Sequence, residues 1–361
     1  MPDQQKNSIL GKLSSGYTYD QLFPLIRSTL DAGISVLLLG PPGIGKSTIA
    51  MDLARIMRKP MIDIRLAQKD PAELGGVYFP DRETQTLELF PPGWVKRACS
   101  EACFVFLDEF NAAVTKLHQA AAYQIVLERR IGDFRFHPGT VVMAAGNREE
   151  DNAIVSPLSN ALCNRFAHFE MRPDVSAWIR WASANGIQED IMAFIQTYGE
   201  KVLFAPSDGH AFPTPRSWAM ASRVMSCIRD PDLISPAVAS CIGQAMALRF
   251  SQYRAVYRKI NASGIIEGKV KPDFAGAEPS FVYAAIFSVS GYLAMTEVTE
   301  KKLRNIVRFL ASPGIGPEYQ LLFLRQLCSR KAELFERLKA LAAFRDLAGK
   351  IVNLRAAMYL S

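Results

Sequence analysis

The feature that most constrains this chain is a glycine-rich segment between an apolar run and an amphipathic stretch. Residues 40–47 read Gly-Pro-Pro-Gly-Ile-Gly-Lys-Ser and fit the pattern GxxxxGK[ST]. The apolar run 35–39 precedes them and the helical pattern 47–58 follows, which predicts a strand, a loop and a helix. In such a loop, backbone N–H groups at the helix N-terminus point toward a phosphate. The sequence therefore predicts a phosphate site in an α/β domain.

This loop supplies most of the residues expected to contact a nucleotide. The Lys46 ammonium is expected to reach the β- and γ-phosphates, and the Ser47 hydroxyl to bind Mg²⁺. The alternative is a glycine-rich turn that happens to precede a helix, and the strand and helix patterns on either side disfavour it. The residues predicted to bind the nucleotide are Gly40, Pro41, Pro42, Gly43, Ile44, Gly45, Lys46, Ser47 and Thr48.

Two adjacent carboxylates follow a second apolar run. Residues 104–107 read Phe-Val-Phe-Leu and precede Asp108 and Glu109. Ligands gather at the carboxyl ends of strands in open α/β sheets. We therefore expect Asp108 to help bind Mg²⁺ and Glu109 to act as the general base on an attacking water. An exposed acidic turn is the alternative, and the adjacent pair favours hydrolysis over transfer.

The order of the predicted elements indicates the fold class. Strand and helix patterns alternate as far as residue 173, which predicts an α/β domain with a parallel sheet flanked by helices. Segments 75–94 and 131–138 read as hairpin inserts. Beyond residue 174 the patterns are helical. The predicted domains are an α/β domain over 1–173, a helical domain over 174–262 and a helical extension over 263–361. The longest predicted helices are 112–129, 235–262 and 317–358.

Charge and hydropathy narrow the function classes. The chain has 42 Lys and Arg against 35 Asp and Glu, and the net charge of +7 belongs to residues 173–361. An anionic partner is expected to meet that half, although a solvated helical surface gives the same pattern. No apolar stretch approaches the roughly 18 residues of a membrane span, and no apolar signal segment begins the sequence. We therefore expect a cytoplasmic location and no membrane span.

Five motifs, in order, resemble one family. They are GPPGIGKS at 40–47, FVFLDEFN at 104–111, VVMAAGN at 141–147, NRF at 164–166 and PTPR at 213–216. Their residues and spacing are similar to those of MoxR-type AAA+ ATPases, in the dynein-related branch that carries an insert in helix 2. The resemblance covers residues 17–230 and fades beyond them. It implies an AAA+ P-loop NTPase core, with the two hairpins as its inserts, followed by an all-helical lid.

The resemblance assigns roles to residues outside the loop. Asn147 corresponds to sensor 1, which orients the lytic water, although an asparagine in a turn is the simpler interpretation. Arg165 corresponds to the arginine finger that completes a neighbouring subunit's site, or it caps the end of a helix. Arg216 corresponds to sensor 2 in the lid. Arg148 is a further candidate for a subunit contact.

The resemblance also implies partners and an activity. We expect ATP and Mg²⁺ as ligands, and a homo-oligomeric ring, a hexamer, that hydrolyses ATP to ADP and phosphate while remodelling a client protein. Relatives of this type act with a protein that contains a von Willebrand A domain. The alternative is a nucleic-acid-dependent motor or DNA-defence ATPase. In that case the helix carrying Tyr253, Arg254, Tyr257, Arg258 and Lys259 could bind nucleic acid, although the same pattern fits tyrosines packed inward.

Overall fold

The structure is a computed structural model, and it describes residues 16–112, 115–148, 158–207, 209–345 and 347. The chain divides into two compact units, residues 1–173 and 174–361. The first unit combines strands and helices, whereas the described residues of the second form helices and loops only.

A five-stranded parallel sheet forms the centre of the first unit. The described strands are β1 (Val36–Leu39), β2 (Met61–Arg65), β3 (Val77–Asp81), β4 (Thr86–Phe90), β5 (Phe104–Asp108), β6 (Arg130–Ile131), β7 (Phe134–Arg135), β8 (Val141–Gly146) and β9 (Ala167–Glu170). The sheet has the order β2-β5-β8-β1-β9, and all of its neighbours pair in parallel. The parallel sheet predicted from the sequence is confirmed, and its order places β8 between β1 and β5.

Helices cover both faces of this sheet. The helices are α1 (Tyr19–Asp31), α2 (Lys46–Ile56), α3 (Pro71–Gly75), α4 (Gly93–Ser100), α5 (Lys116–Tyr123) and α6 (Asn160–Cys163). Helices α1 and α2 contact the sheet strands, where Leu38 and Phe106 are buried. On the alternate face, Leu37 and Val105 share a core with Val95 of α4. Because both faces are buried at the three central strands, β1, β5 and β8 are almost continuously apolar, whereas the edge strand β2 alternates.

The helix predicted over 112–129 differs from the one observed. Helix α5 spans Lys116–Tyr123 and continues as a π-helical turn over Gln124–Glu128. The turn ends at Arg129, whose left-handed φ of 51° redirects the chain. The Gln124 side-chain oxygen accepts a hydrogen bond from the Gly132 N–H at 2.9 Å. These contacts carry the chain directly into the β6–β7 hairpin.

Both predicted hairpins are present. Strands β3 and β4 pair antiparallel, with Val77 opposite Phe90 and Pro80 opposite Leu87. Strands β6 and β7 form a shorter antiparallel pair, with Ile131 opposite Phe134. Each hairpin forms its own two-stranded sheet, separate from the five-stranded one.

The second unit is built of helices. They are α7 (Val175–Ala184), α8 (Glu189–Tyr198), α9 (Glu200–Leu203), α10 (Pro215–Cys227), α11 (Ile234–Ile242), α12 (Gln244–Tyr257), α13 (Ala262–Glu267), α14 (Pro279–Met295), α15 (Glu300–Leu310), α16 (Pro317–Arg330) and α17 (Ala332–Lys339). Among the residues described in either unit, none of the helices has the length and apolar character that crossing a membrane requires.

Two long helices expected from the sequence are broken. The segment 235–262 is interrupted at Gly243, whose φ of 82° and ψ of 153° are incompatible with a helix. The segment 317–358 is interrupted at Lys331, which separates α16 from α17. Residues 348–358, predicted as the end of that helix, lie outside the described residues. Helical periodicity continues through such breaks, because it records which face is buried and not where the backbone turns.

Two hydrophobic cores stabilise the second unit. One contains Phe194, Trp218 and Phe250, whose ring centroids lie 5.4–5.6 Å apart. The other contains residues of α13 to α17 and the chain just beyond. Helix α14 contributes Phe287 to the first core and Ile286 to the second. The division of this unit into domains at residue 262 stays a prediction.

Replacing Gly243 with alanine is expected to destabilise the second unit. Its backbone conformation is one that residues with side chains rarely adopt, and a Cβ would lie 2.6 Å from the Ala211 carbonyl oxygen. We expect Gly243→Ala to lower the free energy of unfolding by about 3 kcal/mol in urea titrations. The control is Gly186→Ala, where φ is 68° but no atom lies within 4 Å of the added Cβ. There we expect a loss of about 1 kcal/mol, and equal losses would contradict the steric argument.

Candidate nucleotide site

The predicted phosphate loop joins β1 to α2. Helix α2 begins at Lys46, and its N-cap is Gly45, with φ of 107°. Gly43 also has a positive φ, of 75°, and these two glycines allow the loop to curl over the start of the helix. At Gly40 a Cβ would lie 2.7 Å from the Met171 carbonyl oxygen, so the loop fits closely against the chain after β9. The first N–H groups of α2 therefore face the loop, which is the geometry that binds phosphate.

Lys46 is the buried charge at the centre of this loop. Its side chain is only 9% exposed. The Nζ atom donates to the carbonyl oxygens of Gly40 and Pro41 at 2.6 and 2.9 Å. It also donates to Oδ1 of Asn147 at 2.9 Å. These contacts bring together Lys46 and Asn147, which are 101 residues apart in the sequence.

Ser47 and Asp108 meet beside the loop. The Ser47 hydroxyl donates to Oδ2 of Asp108 at 2.9 Å. Asp108 is the last residue of β5, and its Oδ1 accepts the Glu109 N–H at 2.9 Å. A serine hydroxyl and a carboxylate are the oxygen ligands that Mg²⁺ prefers. The two residues predicted to bind the metal are thus adjacent and chemically suited to it.

Glu109 occupies a strained turn directly after β5. It is a non-glycine residue with φ of 53°, in the left-handed region. This conformation costs about 1–2 kcal/mol and persists only where the surroundings impose it. The next residue, Phe110, donates its N–H to the Ala145 carbonyl oxygen at 2.8 Å. The strained turn therefore bends the chain from β5 toward β8.

Asp63 and Arg65 of β2 lie beside the acidic pair at this end of the sheet. Asp63 in β2 lies near Asp108, and the pKa of its carboxyl is raised above its ordinary value. Partial burial is the larger cause, the negative charge of Asp108 adds to it, and the positive charge of Arg65 opposes it. A cation bound at Asp108 would reduce the repulsion between the two carboxylates.

Asn111 is a contact that the sequence did not reveal. Its Nδ2 donates to the Asn147 carbonyl oxygen at 2.8 Å, and its Oδ1 accepts the Asn147 N–H at 3.1 Å. The motif FVFLDEFN contains Asn111 as its last residue. The motif does not identify Asn147 as the hydrogen-bond partner of Asn111, because the pairing of β5 with β8 cannot be predicted from the motif.

The two candidate arginines after β8 have partners within the chain. The Nη1 atom of Arg148 donates to Oε1 of Glu170 at 2.7 Å. Arg165 donates from Nη1 to the Ala161 carbonyl oxygen, and its guanidinium lies 4.5 Å from the centroid of the Tyr123 ring. Its Nε is buried with no hydrogen-bond partner in the described part of the chain. Within one chain, these contacts correspond to the helix-end alternative for Arg165.

Arg216 lies in the second unit, near the start of α10. The Thr214 hydroxyl caps this helix by accepting the Ser217 N–H at 3.0 Å, and Pro215 is its first residue. Arg216 follows at the second position and is exposed. The local sequence Pro-Thr-Pro-Arg therefore fixes where the helix begins and leaves the arginine at its solvent side.

The proposed basic and aromatic helix face is mostly structural. Tyr253 is buried in the core of the second unit. Arg254 donates from Nε to Oδ2 of Asp190 at 2.6 Å, and both side chains are largely buried. Burial is also the main cause of the raised pKa of the Tyr257 hydroxyl. The interpretation with inward-packed tyrosines is confirmed, and of the predicted face Arg258 and Lys259 are the exposed residues.

Comparison with known proteins identifies the first unit. Residues 36–173 match the family model for AAA, described as the ATPase family associated with various cellular activities. The matched segment begins in β1 and contains the phosphate loop, Asp108, Glu109 and Asn147. The first unit is therefore an AAA ATPase domain with a P-loop NTPase fold, and the chain is a nucleotide-binding ATPase.

Several solved structures are similar to this chain at low sequence identity. One similar structure is a point mutant of RuvB from Thermotoga maritima, with 16% identity, a TM-score of 0.40, and coverage of 80% of this chain and 86% of that one. Another is NtrX from Brucella abortus in complex with ADP, with 15% identity, a TM-score of 0.41, and coverage of 88% and 68%. A search of curated proteins finds no match.

Removing the Lys46 ammonium is expected to weaken nucleotide binding. Lys46→Ala deletes the buried charge that the loop holds at its centre, and we expect ATP affinity to fall by about tenfold or more. Equilibrium binding of a fluorescent ATP analogue measures this. The control is Lys96→Ala, which removes an exposed lysine from α4 of the same unit. Equal affinity in the Lys46 variant and the wild type would contradict the assignment of the loop.

Proposed function

We propose that this chain is a ring-forming, Mg²⁺-dependent ATPase of the MoxR type that remodels or activates a client protein, as a chaperone does. The observation that carries this proposal is the β3–β4 hairpin, which presents apolar side chains to solvent on an ATPase domain. Exposed apolar patches are typical of surfaces that contact another protein. A polypeptide client is the partner that we propose for this one.

The exposed surface of this hairpin has a defined composition. Val77, Phe79 and Phe90 share one face of the two-stranded sheet, and they are 46%, 54% and 54% exposed. The two phenylalanine rings meet edge to face with centroids 5.2 Å apart. On the opposite face, Leu89 packs near Gly132 of the β6–β7 hairpin. The hairpin is thus held at Leu89 and exposes apolar side chains on both faces, because Tyr78 and Leu87 on the Leu89 face are 60% and 66% exposed.

The site residues suit hydrolysis of the γ-phosphate. Lys46 and the loop N–H groups would bind the phosphates, and Ser47 and Asp108 would hold Mg²⁺, which offsets phosphate charge. Glu109, held by its strained turn, would accept a proton from the attacking water. Asn147, whose side chain already lies on Lys46, would orient that water. Adjacent Asp108 and Glu109 thereby divide metal binding and base catalysis between them.

Two arginines would complete the site when subunits assemble. We assign Arg165 as the arginine finger acting on a neighbour's nucleotide and Arg216 as sensor 2 in a lid domain. The first assignment rests on the resemblance of the NRF motif at 164–166, and the Nε atom of Arg165 has no hydrogen-bond partner among the described residues. A finger that acts between subunits requires an oligomer, and from the resemblance we propose a hexameric ring and a partner that contains a von Willebrand A domain. We also propose a cytoplasmic location.

Mixing two inactive variants tests the shared site. We expect Glu109→Gln and Arg165→Ala each to bind ATP but to release phosphate about 100-fold more slowly than the wild type. In a random equal mixture, about a quarter of the subunit contacts join an intact Glu109 to an intact Arg165. Phosphate release should therefore recover to about a quarter of the wild-type rate. A mixture no faster than its components would contradict a finger that acts between subunits.

An unfolded polypeptide tests the remodelling function. Reduced, carboxymethylated lactalbumin is expected to raise the rate of ATP hydrolysis by the wild type roughly several-fold, because client binding and the nucleotide site are coupled in the proposed function. Phe79→Ser/Phe90→Ser should lose this stimulation and keep the basal rate, since both side chains lie on the exposed hairpin face. The matched control is Leu233→Ser, which removes an exposed apolar side chain from the second unit. Unchanged stimulation in the double variant would contradict the proposal that the β3–β4 hairpin binds the polypeptide.

A nucleic-acid motor is the second candidate, and one surface favours it. Helix α15 buries Leu303, Ile306 and Phe309 and presents Lys301, Arg304 and Arg308 on its exposed side. A basic stripe on a helix is suited to phosphate backbones. Stimulation of ATP hydrolysis by duplex DNA, lost as salt rises and lost in Lys301→Glu/Arg304→Glu, would favour this function over the chaperone.

A further inference from the structure

The side chain of Asn111, in the turn after β5, binds the main chain of Asn147 after β8. The Asn111 carboxamide binds both the N–H and the carbonyl oxygen of Asn147, at 3.1 and 2.8 Å. Asn111 is 6% exposed, so these bonds are largely shielded from water. A side-chain carboxamide has the same donor and acceptor groups as a backbone peptide. Asn111 therefore makes the two bonds to Asn147 that a residue of a paired strand would make.

This contact prolongs the pairing of β5 and β8 beyond the ends of the strands. The last paired residues of the ladder are Leu107 and Ala144. The Phe110 N–H then bonds to the Ala145 carbonyl oxygen at 2.8 Å. Asn111 supplies the next two bonds, to Asn147. Glu109, with its left-handed φ, makes the turn that returns the chain to β8.

Gly146 leaves the space in which the Asn111 side chain lies. A Cβ at residue 146 would be 2.3 Å from Oδ1 of Asn111 and 2.8 Å from its Cγ. Gly146 has no left-handed φ, so its requirement is for space and not for an unusual backbone conformation. Any side chain at residue 146 would therefore displace the carboxamide.

We propose that Asn111 is a positioning residue for ATP hydrolysis, which joins the turn of Glu109 to the main chain of Asn147. Both hydrogen bonds fix the direction in which the Asn147 side chain leaves β8, toward the Lys46 ammonium. Asn111 itself bonds to the Asn147 main chain and need not touch the nucleotide. The inference rests on the proposed roles of Glu109 and Asn147, and it adds that the two are mechanically coupled through residues 110 and 111.

The expected signature is a change in turnover without a change in affinity. Displacing a group that orients water by a fraction of an ångström costs about tenfold or more in kcat. ATP binding depends on the loop residues 40–48 and should change by less than about threefold. Asn111→Ala and Gly146→Ala should show the same pattern, because the first deletes the carboxamide and the second displaces it.

The double variant gives the sharpest test. In Asn111→Ala/Gly146→Ala the added methyl group occupies the space that the carboxamide leaves, so kcat should equal that of Asn111→Ala alone. Two independent losses would instead multiply. The control is Asn185→Ala, which deletes a side-chain bond to the Trp181 carbonyl oxygen in the second unit. Single-turnover phosphate release, ATP binding and near-ultraviolet circular dichroism are measured on each full-length variant.

The outcomes separate the inference from the proposed function. Lower kcat with retained affinity in both single variants, and no further loss in the double variant, would support a positioning role. Multiplying losses, unchanged turnover in Asn111→Ala, or a loss of ATP affinity or folded structure that matches the loss of turnover would overturn it. Asn147→Ala is the reference. If that variant turns over at the wild-type rate, the proposed role of Asn147 is wrong, whereas an effect in Asn147→Ala alone contradicts only the coupling.

Discussion

The parallel pairing of β5, β8 and β1 is the constraint on which the site depends. Parallel strands end at the same edge, so the residues that follow them meet there even when they are distant in sequence. Ser47 and Asp108 are 61 residues apart and hydrogen-bonded. With β8 inserted between β1 and β5, Asn147 lies between the loop and the acidic pair and contacts both Lys46 and Asn111. Buried apolar side chains on both faces of the sheet hold this arrangement.

Local chemistry made part of this structure predictable. The phosphate loop needs glycines at particular places, and the helix after it begins at Lys46 as the motif indicates. The hairpins were visible because turn residues separate apolar runs. The order of the strands was not visible, since strand pairing depends on packing between distant segments. Asn111 was missed for that reason, and the break at Gly243 was missed because a glycine within a helical pattern signals a turn only weakly.

The second unit contains buried ion pairs that its sequence did not predict. Arg254 pairs with Asp190, and Arg330 pairs with Glu189 at 2.6 Å. A sequence shows the arginine of each pair as a basic residue on a helix, and the partner lies on a different helix. A buried arginine without its carboxylate would be costly, so these pairs constrain how the helices pack. These two pairs remove two arginines and two carboxylates from the surface, and they leave the excess of positive charge unchanged.

The proline in β3 has a consequence for the exposed hairpin. A free two-stranded sheet with apolar side chains is a template for pairing with other chains, which leads to aggregation. Pro80 lies within β3, opposite Leu87, and it has no N–H to offer along the strand. Its ring also obstructs a third strand. The hairpin can therefore expose Val77, Phe79 and Phe90 to solvent while the outer edge of β3 is protected from pairing with strands of other chains.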